Sequence, residues 1–307
     1  MVAATWTAFV ALSAIGAWCA RRAVAEARGL DKLVALANAF FAMPLAVFGA
    51  EHLAGDEGIA SLVPAYMPWR RFWLYFVGVA LVAAALSIAT RTLVRWSGLL
   101  FGVMMFLFVA LLHLPGAVSS PHERIGWVIV CRESSFGAGG WLLAGSATPG
   151  WNARVRRVLV TTGRVIIPAA AIFYGVQHLL HPLHVPGVPL ERILPEWMPA
   201  RALVGSLTGA LQLVCGAGML VSRTTRATAT YLGAWILLLV VVVYGPLLVE
   251  SMRDPSTAAR VQGINYFTDT LLFAGAILAL AGASGASRPG RSAAAPGYAA
   301  GAPPPAA

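Results

Sequence analysis

Long apolar runs separated by short basic gaps constrain this chain more than any other feature. A helix needs about 20 mostly apolar residues to cross a hydrocarbon core, and such runs follow one another from residue 3 to residue 283. Of the residues, 59% are apolar and 11% charged, whereas soluble domains carry about a quarter charged residues. In lipid, each backbone N–H and C=O must be satisfied within its own segment, which selects helices over open sheets. The expected fold class is all-α: a polytopic integral membrane protein of about nine transmembrane helices. The spans are expected near 3–20, 33–53, 70–90, 96–114, 125–145, 164–181, 201–221, 228–249 and 264–283. The fifth is the most polar, because it contains Arg132 and Glu133. Pro44 and Pro168 fall inside spans and should bend them.

The net charge of +10 does not point to nucleic acid, because the basic residues sit mainly in the gaps between apolar runs. There they act as topology signals. No cation precedes the first apolar run, and Arg21 and Arg22 follow it at once. A signal peptide has the opposite order, so the run is expected to stay as a helix. One set of gaps holds 14 basic residues: Arg21, Arg22, Arg28, Lys32, Arg91, Arg95, Arg154, Arg156, Arg157, Arg164, Arg223, Arg226, Arg288 and Arg291. The other set holds 7: Arg70, Arg71, Arg124, Arg192, Arg201, Arg253 and Arg260. The positive-inside rule makes the first set cytoplasmic. The expected location is a bacterial cytoplasmic (inner) membrane, with the N-terminus outside and the C-terminus inside. Cys19, Cys131 and Cys215 each stand alone in apolar runs and read as small core residues.

The chain also repeats itself. Phe48-Gly49-Ala50-Glu51-His52-Leu53 matches Tyr174-Gly175-Val176-Gln177-His178-Leu179. Val63-Pro64-Ala65-Tyr66-Met67-Pro68-Trp69-Arg70 matches Leu194-Pro195-Glu196-Trp197-Met198-Pro199-Ala200-Arg201. The same offset of 131 then pairs Gly78 with Gly209, Gly102 with Gly233 and Pro115 with Pro246. The first block pairs at an offset of 126, so five extra residues enter the second copy around His181, His184 and Pro186. Such self-similarity is the signature of duplication. Copies with an even number of spans share one orientation, related by a pseudo-two-fold along the membrane normal. The expected organisation is an N-terminal helix with its link over 1–30, a first four-helix repeat over 31–150 and a second over 151–283. A disordered cytoplasmic tail follows over 284–307, built of Ala, Gly, Pro and Ser with two arginines.

Each unit has a Gly-x-x-His at the end of its first helix and a Pro-x-x-Met-Pro loop leading into its second. In these features the chain resembles the DoxX-like family of bacterial four-helix membrane proteins, here as a tandem duplication over about residues 33–283. The resemblance implies an accessory subunit of a membrane redox assembly, as with the small subunits of a thiosulfate:quinone oxidoreductase. A redox partner protein or a quinone would be its partner, beside the lipid bilayer. The resemblance supplies no catalytic motif.

Under this topology His52, His113, His122, His178, His181 and His184 all fall on the outer side, with most of the acids. A candidate outward-facing polar pocket is expected from His52, His178, Glu51, Gln177, Glu133 and Asp269. Ionisable groups inside a membrane are functional candidates by default, and Arg132 is available to pair with Glu133 or Asp269. Equivalent positions could bring His52 and His178 together near the axis, as structural histidines, as ligands of a haem or metal, or as proton carriers. His178, His181 and His184 recur every three residues and form a weaker candidate copper or zinc site. A small-solute transporter and an outer-face haem or metal protein therefore stand beside the accessory reading, and no residue is identifiable as catalytic. Tyr66, Trp69, Phe72, Trp73 and Trp197 read as an interfacial aromatic belt. Gly137-Ala138-Gly139-Gly140 reads as a close helix contact.

Overall fold

The structure, a computed structural model, describes residues 2–55, 57–61, 63–64, 66–147, 151–188 and 192–285, with Glu57 and Gly58 as backbone only. Among the described residues all regular elements are helices. In order they are α1 (Val2–Glu26), α2 (Asp31–Ala35), α3 (Ala37–Leu53), α4 (Glu57–Ser61), α5 (Arg70–Thr90) and α6 (Val94–Phe108). A π turn at Val109–His113 joins α6 to α7 (Leu114–Ser119), followed by α8 (Arg124–Ser146), α9 (Ala153–Leu180) and α10 (Arg201–Leu220). Then come α11 (Thr225–Leu239), a second π turn at Val240–Tyr244, α12 (Gly245–Arg253) and α13 (Thr257–Gly285).

Among the described residues, seven continuous helices are long and apolar enough to cross a membrane: Val2–Glu26, Arg70–Thr90, Val94–Ser119, Ala153–Leu180, Arg201–Leu220, Thr225–Arg253 and Thr257–Gly285. The other two expected spans are also helical but differ in kind. The α3 helix has 17 residues, about 26 Å at the α-helical rise, and it continues α2 through a break at Leu36. The α8 helix has Arg132, Glu133, Ser134 and Ser135 at its middle. The α9 helix begins at Ala153, well before the expected 164, so Arg154, Arg156 and Arg157 stand on its first turns. Asn152 caps it by accepting from the Val155 N–H at 2.9 Å. The α13 helix runs on to Gly285, past the expected start of the tail, and the rest of that tail lies outside the described residues.

The two π turns have a common cause. Pro115 and Pro246 sit just after them, near the starts of α7 and α12. A proline removes one N–H from the ladder and its ring crowds the carbonyl four residues earlier. Widening the preceding turn relieves that crowding and keeps each helix continuous.

Packing relies on small residues, as expected where lipid offers no hydrophobic drive between helices. Helices α3 and α5 meet at Gly49 and Gly78, and α9 and α10 meet at Gly175 and Gly209. A methyl group added at Gly49 would lie 3.0 Å from the Gly78 carbonyl oxygen; one added at Gly175 would lie 2.8 Å from that of Gly209. Helices α6 and α8 meet at Gly98 and Gly140, and Gly233 of α11 faces Leu278 of α13. Two further contacts join the halves of the chain: α8 packs along α9, and α13 packs along α3. Helices α8 and α13 also touch each other, where the methyl position of Gly139 lies 3.0 Å from the Cβ of Ala276. The α13 helix is the most enclosed of the seven long helices, and α1, which packs on α3 and α5, is the least.

Candidate functional site

The polar interior is built where α8 and α13 cross. Arg132 of α8 places Nη1 2.7 Å from Oδ2 of Asp269 on α13, and Nη2 2.9 Å from Oε1 of its neighbour Glu133. Its Nε donates to that same Glu133 oxygen at 3.1 Å. Adjacent helical residues diverge, so this second pair forms only because the long arginine side chain folds back. The three side chains are 18%, 11% and 8% exposed, so the guanidinium charge is paired inside the protein by two carboxylates.

Two groups lie close to this centre, and a second polar pair sits one turn along α13. Tyr174 of α9 is fully buried, stacks edge-on against Phe273 at 5.3 Å between centroids, and donates to the Val128 carbonyl at 3.5 Å. His113, the last residue of the first π turn, lies within electrostatic range of Arg132 and Glu133. One turn from Asp269 on α13, Asn265 faces Glu51 of α3, which is 2% exposed. With its amide nitrogen turned to that side, Asn265 donates to both Glu51 oxygens at 3.2 and 3.0 Å. Polar side chains from α3, α8 and α13 thus meet in one stretch of the interior.

The histidines are arranged differently from the expectation. His52 and His178 do not form one pocket. The His52 ring bonds through Nδ1 to its own Phe48 carbonyl at 2.7 Å, and its Cβ packs on Gly78 of α5. His178 is fully buried, its Cβ packs on Gly209 of α10, and its Nε2 accepts from the Gly187 N–H at 3.0 Å. Each ring is held within its own helix pair because the glycine opposite it admits the imidazole stem there. The three-histidine metal site is not formed either. His178 turns inward, while His181 is exposed and meets His184 edge-on at 5.6 Å between centroids. Helix α9 ends at Leu180, so the helical spacing that would align the three rings is lost. Among the described residues no group of three or more His, Cys, Asp or Glu is gathered as a metal site requires. Gln177 is half-buried, and its Oε1 has no hydrogen-bond partner among the described residues.

Comparison with family models, with curated proteins and with solved structures finds no match to this chain. The site therefore rests on its own geometry.

Three residues that sequence reasoning did not single out, Gly187, Gln212 and Tyr244, organise the second half. Val185, Pro186, Gly187 and Val188 fold back into the helices and are all buried. Gln212 of α10 donates to the Gly187 carbonyl at 2.6 Å, and the Tyr244 hydroxyl donates to that of Pro186 at 2.9 Å. Gly187 has φ of +112°, a conformation that a side chain would strain. One signal was available: the buried segment lies in the five-residue excess of the second copy, and Tyr244 stands 131 positions after His113.

Proposed function

We propose that the chain is an accessory, non-catalytic subunit of a membrane redox assembly in a bacterial inner membrane. Its body is two parallel four-helix units plus an N-terminal helix, nine spans in all. The observation that carries the non-catalytic part is the Arg132 centre. Its one cation is held by two carboxylates from within the chain, and the neighbouring bundle is filled by the chain's own loop. An interior closed in this way suits a scaffold better than an open conduit. The redox part comes from the resemblance to the DoxX-like family.

Local geometry supports the duplication. The π turns Val109–His113 and Val240–Tyr244 are 131 residues apart. So are Trp69 and Ala200, which start α5 and α10 in the left-handed region at φ of 54° and 51°. Arg70 donates to the Val63 carbonyl at 2.9 Å, and Arg201 to the Leu194 carbonyl at 3.1 Å, again 131 apart at both ends. An offset of 137 pairs Gly126 with Gly263, Phe136 with Phe273 and Gly145 with Gly282; at that offset Arg132 corresponds to Asp269 and Gly139 to Ala276, so both contacts would join equivalent positions across a pseudo-two-fold.

The functional test is purification from host membranes in mild detergent. The expected result is a protein without a Soret band that co-purifies with a membrane dehydrogenase or oxidase. A haem bound to the isolated chain, or solute flux in liposomes, would contradict this reading. The orientation is tested by reporter fusions at Gly29, Ser119, Asn152 and the C-terminus, expected to read inside, outside, inside and inside. A cytoplasmic signal at Ser119 would overturn it.

A further inference from the structure

We infer that Val185–Val188 is a plug in the second bundle that protonation of His178 releases. The segment is an unusual occupant for a helix bundle. Irregular backbone at such depth is tolerated only where protein groups satisfy it. Here three side chains from three elements do so. His178 of α9 accepts the Gly187 N–H, Gln212 of α10 donates to the Gly187 carbonyl, and Tyr244 of the second π turn donates to the Pro186 carbonyl. Val185 and Val188, at its two ends, are 0% exposed. A methyl group added at Gly187 would already touch Thr270 of α13, at 3.4 Å. The plug therefore fills the space between α9, α10, α11 and α13.

Two of the three clasps keep their chemistry at any physiological pH, because an amide and a phenol do not titrate there. The third does not. To accept an N–H, Nε2 of His178 must be bare, so the ring is neutral and carries its proton on Nδ1. A second proton would make Nε2 a donor facing another donor at 3.0 Å. The carbonyl in reach, Gly187 O, already accepts from Gln212 at 2.6 Å and stands 3.4 Å from Nε2, so the bond it can offer a charged ring is long. The charged or titratable groups placed near His178 are Arg124 at the start of α8 and His184 in the loop. A second proton therefore removes the acceptor of the Gly187 N–H and leaves that donor facing another, so acid loosens the seated segment. The first half has His52 in the matching place but bonds it to Phe48 within its own helix, so this device belongs to the second half alone. It does not depend on the redox reading above.

The test is thiol labelling of full-length protein in detergent. Cys19, Cys131 and Cys215 are replaced by alanine, and Val188→Cys supplies the probe. Rates are divided by those of exposed Ser119→Cys in the same background, which removes the pH dependence of the thiol itself. Lowering the pH from about 8 to about 5, the range in which histidine charges, is expected to raise the normalised rate at least about tenfold. In His178→Gln, whose amide cannot take up the proton, the normalised rate should be the same at both pH values. A Val188→Cys rate that stays flat in the His178 protein would overturn the inference. So would an equal rise with acid in His178→Gln. A circular-dichroism melt of each variant at both pH values separates plug release from general unfolding. Loss of helix in step with labelling would also overturn it.

Discussion

Replacing Arg132 with methionine is expected to be the most damaging single change in the chain. It would leave Glu133 and Asp269 buried and facing each other without a cation. Removing one partner from a buried pair costs about 3–5 kcal/mol, because the remaining charge is left uncompensated. Here two carboxylates would be stranded, so the upper part of that range applies unless they take up protons. Asp269→Leu should cost less, since Glu133 still neutralises the guanidinium through the contacts at 2.9 and 3.1 Å. The order of stability is therefore wild type, then Asp269→Leu, then Arg132→Met. Combining Arg132→Met, Glu133→Leu and Asp269→Leu in one protein should recover much of the loss, because apolar replacements of a complete ion set are often neutral. Thermal aggregation of detergent-purified variants measures the order. Equal stability for Arg132→Met and wild type would show that the centre is not closed as described.

Gly98→Leu is expected to be a second large destabilisation. A methyl group at this position would stand 2.5 Å from the Gly140 carbonyl oxygen and 3.1 Å from the Ala144 nitrogen. Both are backbone atoms of α8, so no rotamer change relieves the clash. In the reverse direction, Gly140 sits with its methyl position 2.9 Å from the Gly98 carbonyl. The two helices must therefore separate along their whole contact. Overpacking of a filled interior costs about 1–3 kcal/mol, and a backbone clash belongs at the top of that range. Gly116→Leu is the control, because none of the described residues comes within 4 Å of its methyl position. It should change stability by no more than about 0.5 kcal/mol. The same melting assay distinguishes them, and equal effects at the two glycines would contradict the close α6–α8 contact.

Hydropathy made the helices legible because the bilayer imposes both length and polarity on a span. It was least informative at α3 and α8. The first is shortened by the break at Leu36, and the second must carry Arg132 and Glu133 at its middle because the ion centre is built there. Spacing also carried some of the site. Arg132, Glu133 and Asp269 stood out as charges inside apolar runs, and burial forces such charges to find each other. The histidines misled for a definite reason. Sequence gives a residue's depth along a helix but not the direction of its side chain, and glycines on the neighbouring helices turn His52 and His178 into separate pairs. Gln212 and Tyr244 were hidden because their partners are backbone atoms of a loop, which leave no mark in side-chain patterns. The excess of five residues near Pro186 hinted only that something there was different.

Helices α8 and α13 meet at the seam between the two halves of the chain. A disulfide tests it as a distance. The methyl position of Gly139 lies 3.0 Å from the Cβ of Ala276, slightly inside the Cβ separation of about 3.5–4.5 Å that a disulfide adopts. A small outward shift of either helix would accommodate it. With Cys19, Cys131 and Cys215 replaced by alanine, Gly139→Cys and Ala276→Cys are introduced together, and a protease site is placed in the loop before Ala153. Mild oxidation in native membranes is expected to join the two fragments in most molecules and reduction to separate them, while neither single-cysteine variant is joined. Fragments that stay separate in folded protein, or that link only between different molecules, would contradict the seam and the arrangement built on it.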